Sequence, residues 1–335
     1  GFLAFTAIYV LLVLKEQRFA LLALLVTCVG VAFTGFFPTV LGLYLTTVLM
    51  SIGFHYYETL NQSLTLQWID KKQTAQFMGR ALSIKAVGAL SAYALIWVLM
   101  TSLAVDYVVV YTLIGGFGCL ATLWLWSAFP KFSDAAIQTK KLILRKRYSL
   151  YYGLVFFSGA RRQIFMVFAG FLMVEKFGYS VAQISALFMI NYLFNFFFAP
   201  KIGGWIAKVG ERKALVVEYV GLIGVFVSYA FVENQYIAGG LYVIDHMFFA
   251  LAIAMKTYFQ KIADPKDIAA TASVSFTINH IAAVIIPAVL GVLWLSSPAL
   301  VFFIGAAFAM CSLILAYCIP LSPVIGNEFA WSKSS

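Results

Sequence analysis

The sequence predicts an all-α polytopic membrane protein, organised as two pseudo-symmetric six-helix bundles of which the first is incomplete. Three observations carry this. The chain of 335 residues is 63% hydrophobic and only 11% charged, whereas a soluble domain carries about 25% charged residues. Its apolar runs are long enough to cross the hydrocarbon core, which takes about 20 helical residues. The short charged turns between these runs echo one another in the two halves of the chain.

In chain order the sequence reads as about eleven helices, one of them partial. Residues 1–14, GFLAFTAIYVLLVL, are apolar but rise only about 21 Å as a helix, so they are expected to be the end of a span that continues upstream. The charged turn LKEQRFALL (Leu14–Leu22) leads into helices at 18–37 and 39–66. QWIDKKQTAQFMGRALS (Gln67–Ser83) leads into helices at 79–104 and 106–129. The longest polar stretch, PKFSDAAIQTKKLILRKRYS (Pro130–Ser149), then separates an incomplete N-terminal bundle, 1–129, from a C-terminal bundle, 150–335, with 130–149 as linker. The second half reads as helices at 150–175, 180–207, 213–232, 237–261, 269–295 and 297–319. Its turns VGERKALVV (Val209–Val217) and QKIADPKDIAATASVSF (Gln260–Phe276) follow the first-half turns at a separation of about 194 residues, an internal repeat.

Charge orients this map. With the linker in the cytoplasm and helices alternating, Lys15, Arg18, Lys71, Lys72, Arg80, Lys131, Lys140, Lys141, Arg145, Lys146, Arg147, Lys201, Lys208, Arg212, Lys213, Lys256, Lys261, Lys266 and Lys333 fall on the inside. Only Lys176 falls outside. This is the positive-inside distribution. It accounts for the net charge of +10 without a nucleic-acid partner. Cys28, Cys119, Cys311 and Cys318 all lie in apolar runs without metal-ligand spacing and read as small packing residues.

With the six-plus-six plan, the basic linker and two loops in view, the whole chain resembles the major facilitator superfamily of secondary transporters, apart from the absent first helix and part of the second. One loop is GGWIAKVGERKAL (Gly203–Leu215), similar to the superfamily's signature between the second and third helices of each half. Gly203, Gly210, Arg212 and Lys213 match, while Ala207 replaces the acid and Glu211 stands where a basic residue is usual. The first-half copy, KEQR, lacks the glycines. The other loop, MGRALS (Met78–Ser83), is similar to the opening of the superfamily's fifth helix. The glycine- and proline-rich pattern of many drug/proton antiporters is absent from KAVGALSAYALIWVLM (Lys85–Met100). The resemblance implies alternating access around a site near the bilayer midplane, with Gly203, Gly210, Arg212 and Lys213 as cytoplasmic gate residues.

Polar groups inside spans mark candidate sites, because a charge at a helix centre costs about 2.5–3.5 kcal/mol on insertion scales. Arg161 and Arg162 lie mid-span in SLYYGLVFFSGARRQIFMVFAGFLMVEKFG (Ser149–Gly178). They read either as a guanidinium clamp for a carboxylate or phosphate or as partners in an interhelical ion pair. Lys85 shares a helix face with Gly88, Ala89 and Ala92, and its repeat-mate is Asn279, beside His280; Lys85, Asn279 and His280 are candidate cavity residues, as is Asn195. His55 and Glu58 lie one turn apart, open to proton carriage, to service as counter-ions or to plain polar packing. Asp245 and His246 form a second candidate coupling pair. Glu218 is expected to pair with basic residues of the loops. Three basic residues, Lys85, Arg161 and Arg162, then stand against Glu58 and Asp245 in the interior, a cation surplus that favours an anionic guest.

The expected function is secondary active transport of a small organic anion or acidic zwitterion, with proton coupling through Glu58, Asp245 or a histidine. A cation or multidrug exporter of the same fold, a polytopic membrane enzyme and a non-transporting receptor are the alternatives. The longest loop has about 20 residues and no histidine, which speaks against catalysis. His55, His246 and His280 stand on three separate helices without local ligand spacing, so neither metal nor cofactor is expected. The expected partners are a small-molecule substrate and the lipid bilayer. The expected state is a monomer in a bacterial inner membrane, with linker and C-terminus cytoplasmic.

Overall fold

Apolar sequence in hydrocarbon must satisfy its backbone internally, and helices do so within one segment. The computed structural model describes residues 15–130, 136–139, 141 and 143–330. The partial helix expected at 1–14 lies outside these, as do Lys131, Lys140 and Lys333. Among the described residues ten helices are long and apolar enough to cross a membrane: α1 Glu16–Thr34, α2 Val40–Trp68, α3 Thr74–Ser102, α4 Tyr107–Ala128, α5 Lys146–Glu175, α6 Val181–Val209, α7 Glu211–Phe231, α8 Gln235–Ile262, α9 Pro265–Trp294 and α10 Pro298–Tyr317. The chain is an all-α polytopic membrane protein.

Span lengths repeat along the chain. Helices α1 to α4 have 19, 29, 29 and 22 residues, and α7 to α10 have 21, 28, 30 and 20. Both series open on a glutamate, Glu16 and Glu211, in the charged turns whose sequences echo each other. α3 begins at Thr74, five residues before the expected 79, because Thr74 and Ala75 are buried and belong to a helix face. Thr74 Oγ1 donates to the Asp70 carbonyl at 2.9 Å and seats that first turn.

The ends away from the basic loops carry side-chain caps. Ser180 and Gln183 form a reciprocal capping box at the start of α6, at 3.2 and 2.8 Å. Asn234 accepts from Tyr236 and Ile237 at the start of α8. Ser297 caps α10 with Pro298 next to it. Lys176, the one basic residue expected at that end, is held by Glu233 at 2.8 Å.

The chain folds into two compact units. Of the described residues, one unit takes those within Gly1–Trp68, Ser91–Ile143 and Pro265–Thr277, and the other takes those within Ile69–Leu90, Leu144–Asp264 and Ile278–Ser335. In the first unit α1 packs on α2 and α4. Glycines permit this approach: a methyl group on Gly53 would fall 2.5 Å from the Ala23 carbonyl, and one on Gly115 would fall 2.3 Å from the Ala32 amide nitrogen. Gln138, within the polar linker, accepts from the Ala269 amide at 3.0 Å and donates to the Pro265 carbonyl at 2.8 Å, which anchors the start of α9.

In the second unit α10 packs on α5 and α7, and α8 packs on α6 and α7. Its core is aromatic. Tyr229 stacks on Phe302 at 5.1 Å and Phe168 on Trp294 at 5.3 Å, between helices α5, α7, α9 and α10. Large apolar side chains such as Phe117, Leu120 and Trp124 on α4, or Val284, Val289 and Val292 on α9, are exposed on the outside, as a lipid solvent allows.

Candidate functional site

Arg161 is buried to 1% exposure on α5, so its charge must meet a partner inside the protein. The partner is Glu218 of α7: Nη2 donates to Oε1 at 3.1 Å, with both side chains nearly inaccessible. Arg161 also reaches Ser158 Oγ at 3.4 Å and lies over the Tyr219 ring at 5.5 Å. The interhelical ion pair weighed at the sequence level is therefore realised at Arg161. Glu218 does not pair with the loops as expected. It lies seven residues after the start of α7, a rise of about 10 Å, which carries it past the reach of the loop lysines to the arginine level. The interior balance changes with it, because Lys85, Arg161 and Arg162 are now matched in number by Glu58, Asp245 and Glu218 and the cation surplus disappears.

The guanidinium is not saturated. Arg161 Nε and Nη1 meet no acceptor, Glu218 Oε2 meets no donor, and neither oxygen of the fully buried Asp245 meets one. Asp245, on α8, lies in the field of Arg161, Glu218 and Arg162. One guanidinium thus bonds one of two buried carboxyl groups, and the other stands in its field without a hydrogen bond.

Arg162 behaves differently. Consecutive helical residues point about 100° apart, and Arg162 is exposed, lying over the Phe249 ring at 5.5 Å. The backbone changes winding directly after the arginines. Phe165–Ala169 forms a π turn, and the Phe165 amide is shared between the Arg161 and Arg162 carbonyls. On α8 the facing turn Phe249–Ala252 tightens to a 3₁₀ helix. Such interruptions inside long helices recur at functional sites.

His246 is enclosed by aromatic rings: Tyr242 at 4.6 Å, Phe249 at 5.1 Å, Phe165 at 5.2 Å and Phe188 at 5.8 Å. Its Nδ1 faces the Tyr242 carbonyl at 3.1 Å. A carbonyl only accepts, so Nδ1 is the donor in this contact. Asn279 packs on α5, where a methyl group added to Gly159 would fall 2.3 Å from Asn279 Oδ1. His280 is half-buried next to it. Asn195 is half-buried on α6, with an Oδ1 that meets no donor. The second unit therefore brings Arg161, Arg162, Asp245, His246 and Asn279 together with the unforeseen Glu218.

His55 and Glu58 belong to the first unit. His55 Nδ1 lies 2.7 Å from the Ser51 carbonyl, and its ring meets Phe54 and Phe276 edge-on at 5.7 Å each. Glu58 is half-buried one turn further along. Lys85 is exposed on α3.

The four residues expected at the cytoplasmic gate occupy distinct settings. Gly203 is not in a turn but inside α6, buried at a close crossing with α3. A methyl group there would fall 2.3 Å from the Ala75 carbonyl, and one on Gly79 would fall 2.4 Å from the Ala199 carbonyl. Pro200 lacks the amide hydrogen that would bond the Phe196 carbonyl, and Ser83 Oγ donates to that carbonyl at 2.7 Å instead. The glycine and serine of MGRALS thus have packing roles. Gly210 breaks α6 from α7 at φ +86°, a left-handed conformation that favours glycine. Arg212 lies over Tyr317 at 5.5 Å, and Lys213 is exposed.

Next to Gly210, Glu211 is buried and bonded to Lys261 at 2.6 Å. Gln260 donates to the Ile69 carbonyl at 2.8 Å and Lys71 to the Lys261 carbonyl at 3.3 Å. Partial burial draws the Lys71 ammonium below its ordinary value, opposed by Asp70. Lys71, Glu211 and Lys261 line one cavity with the C-terminal segment Leu321–Ile325.

This helical plan has relatives. A family model described as Major Facilitator Superfamily matches residues 2–287. The chain belongs to the Major Facilitator Superfamily. Among curated protein sequences nothing matches it. Among solved structures, this superfamily member is similar to the Escherichia coli fucose:proton symporter FucP, also solved in the outward conformation, with TM-score 0.73, 13% identity and coverage of 94% of this chain and 86% of that one. It is similar to the human organic anion transporter MFSD10 with TM-score 0.67, 13% identity and coverage of 90% and 82%. A bacterial homologue of the iron transporter ferroportin, in an outward-facing state, matches with TM-score 0.64, 12% identity and coverage of 94% and 88%. At these identities the likeness is one of fold. The superfamily member is a multi-pass membrane transporter and not an enzyme.

Proposed function

We propose that this superfamily member is a secondary active transporter of a small organic anion or acidic zwitterion, working by alternating access and coupled to protons. In this reading Arg162 receives the acidic group of the cargo, Asp245 carries the proton, and the Arg161–Glu218 pair holds the local charge pattern. The first bundle spans 1–129, the linker 130–149 and the second bundle 150–335, with linker and C-terminus in the cytoplasm of a bacterial inner membrane and the protein monomeric. Lys85, Asn195, Asn279 and His280 contribute to the cavity. His246, His55 and Glu58 are secondary coupling or counter-ion groups. Gly203, Gly210, Arg212 and Lys213 serve the cytoplasmic gate.

The observation that carries the proposal is the buried group of Arg161, Glu218 and Asp245, with one bonded guanidinium for two carboxyls. In hydrocarbon such a group favours one compensating positive charge, and a proton supplies it without adding bulk. Arg162, exposed one residue away, offers bidentate donors to a carboxylate. The anionic character of the cargo rests on Arg162 alone, since the basic residues of the spans no longer outnumber the acidic ones.

The test is uptake into proteoliposomes of a panel of small carboxylates and of small amines, with and without an imposed proton gradient. A charge-assisted hydrogen bond is worth about 1.5–3 kcal/mol, so Arg162→Ala is expected to lower carboxylate uptake by about 10- to 100-fold. Asp245→Asn is expected to abolish the stimulation by the gradient. Carboxylate uptake that is unchanged in Arg162→Ala removes the anion reading. The donor-free oxygens of Asp245 favour one rival, a cation exporter; amine transport lost in Asp245→Asn and insensitive to Arg162→Ala would establish it.

A further inference from the structure

Several buried hydroxyls in these spans bond to their own helix. Thr59, Ser275, Thr277 and Ser312 each donate to the carbonyl four residues back, at 2.8 to 3.0 Å. Asn191 on α6 does not. It is 4% exposed, and neither its Nδ2 nor its Oδ1 has a hydrogen-bond partner. An amide in a membrane span can draw no partner from hydrocarbon, and leucine would fill the position without that penalty.

Its position is informative. Phe188, one turn before Asn191 on the same face, meets the Tyr242 and His246 rings at 5.8 Å each. α6 also packs against the Phe249–Ala252 turn of α8. Both helices run in the same direction, so Asn191 stands at the level of Asp245 and of Phe249, the ring under Arg162. Asn195, one turn further on the same face, is half-buried and has an Oδ1 without a donor. The two amides thus share one face of α6, and Asn191 lies at the level of the charged groups on α8.

We infer that Asn191, assisted by Asn195, is a recognition site for a hydroxyl group of the cargo. One hydroxyl both donates and accepts, so it can satisfy both atoms of a buried amide, and it is small enough for a position this enclosed. The inference deepens the transport reading above and rests on it for the acidic group at Arg162. Together they make the cargo a small hydroxy acid.

The probes are radiolabelled propionate, lactate and glycerate, with glycerol and 1,3-propanediol as the neutral pair, taken up by proteoliposomes. A site built to bond a hydroxyl rejects the analogue without it strongly, so lactate and glycerate are expected to exceed propionate by about tenfold or more. Asn191→Leu is expected to bring that ratio close to one. Asn195→Leu, which alters a less buried position, is expected to lower it part of the way and serves where Asn191→Leu does not reach the membrane. Arg162→Ala is expected to reduce all three acids alike. A wild-type ratio near one, or a ratio unmoved by both asparagine variants, overturns the hydroxyl site while acid transport stands. Preference for glycerol over 1,3-propanediol, lost in the asparagine variants, with no acid transported, upholds the hydroxyl site and overturns the acid at Arg162. No discrimination within either set overturns the hydroxyl site outright.

Discussion

At the scale of the residue, two adjacent arginines have opposite fates. Arg161 turns inward to Glu218, and Arg162 remains exposed beside Phe249. Removing one partner of a buried ion pair leaves an uncompensated charge and costs about 3–5 kcal/mol, whereas replacing both with apolar groups is often neutral. Glu218→Ala is therefore expected to lower the thermal unfolding temperature in detergent sharply. The variant Arg161→Met with Glu218→Leu and Asp245→Asn, which removes the guanidinium and both carboxylates together, is expected to regain most of the loss. A Glu218→Ala protein as stable as wild type would show that the pair is not a support. The arginine pair itself was legible in the sequence as two charges mid-span. Glu218 was not assigned to it, because its position on its own helix could not tell which helix would lie opposite. Asn191 offered a visible signal, four residues from Asn195 in NYLFN, but burial without a partner is a property of the folded molecule alone.

At the scale of the element, the crossing of α3 and α6 joins three sequence features. Gly79 and Gly203 allow each backbone to approach the other, and Ser83 supplies the hydrogen bond that Pro200 withholds. Filling such a contact with side chains costs about 1–3 kcal/mol, so Gly203→Val is expected to lower the unfolding temperature. Ser83→Ala leaves a carbonyl without a donor, a loss of about 1–3 kcal/mol, and the Ser83→Thr variant, which keeps the hydroxyl, is expected to lose less. Equal stability of Ser83→Ala and wild type would mean that the Phe196 carbonyl finds another donor. Helix positions were legible to within a few residues, since apolar length and charged turns are local. The irregular turns at Phe165–Ala169 and Phe249–Ala252 were not, because winding responds to what packs against the helix.

At the scale of the whole molecule, the matching span lengths of α1–α4 and α7–α10 express the repeat that the turns announce. Orientation follows from where the basic residues collect. With the four native cysteines replaced, Lys213→Cys is expected to resist a membrane-impermeant thiol reagent in intact cells and to react after permeabilisation. Glu233→Cys, 82% exposed at the opposite end, is expected to react in intact cells. The reverse pattern would invert the proposed topology.

What the sequence alone determined is the membrane class, the number and position of the spans after residue 15, the repeat and the superfamily. Each follows from hydropathy over about 20 residues or from short turns, and neither needs knowledge of neighbours. Only the tertiary structure decided that Glu218 neutralises Arg161, that Arg162 stays exposed, that Gly203 serves a helix crossing and that Asn191 is buried without a partner. Those outcomes depend on which faces of separate helices meet, and a side chain's partner across a bundle is set by packing and not by its neighbours in the chain.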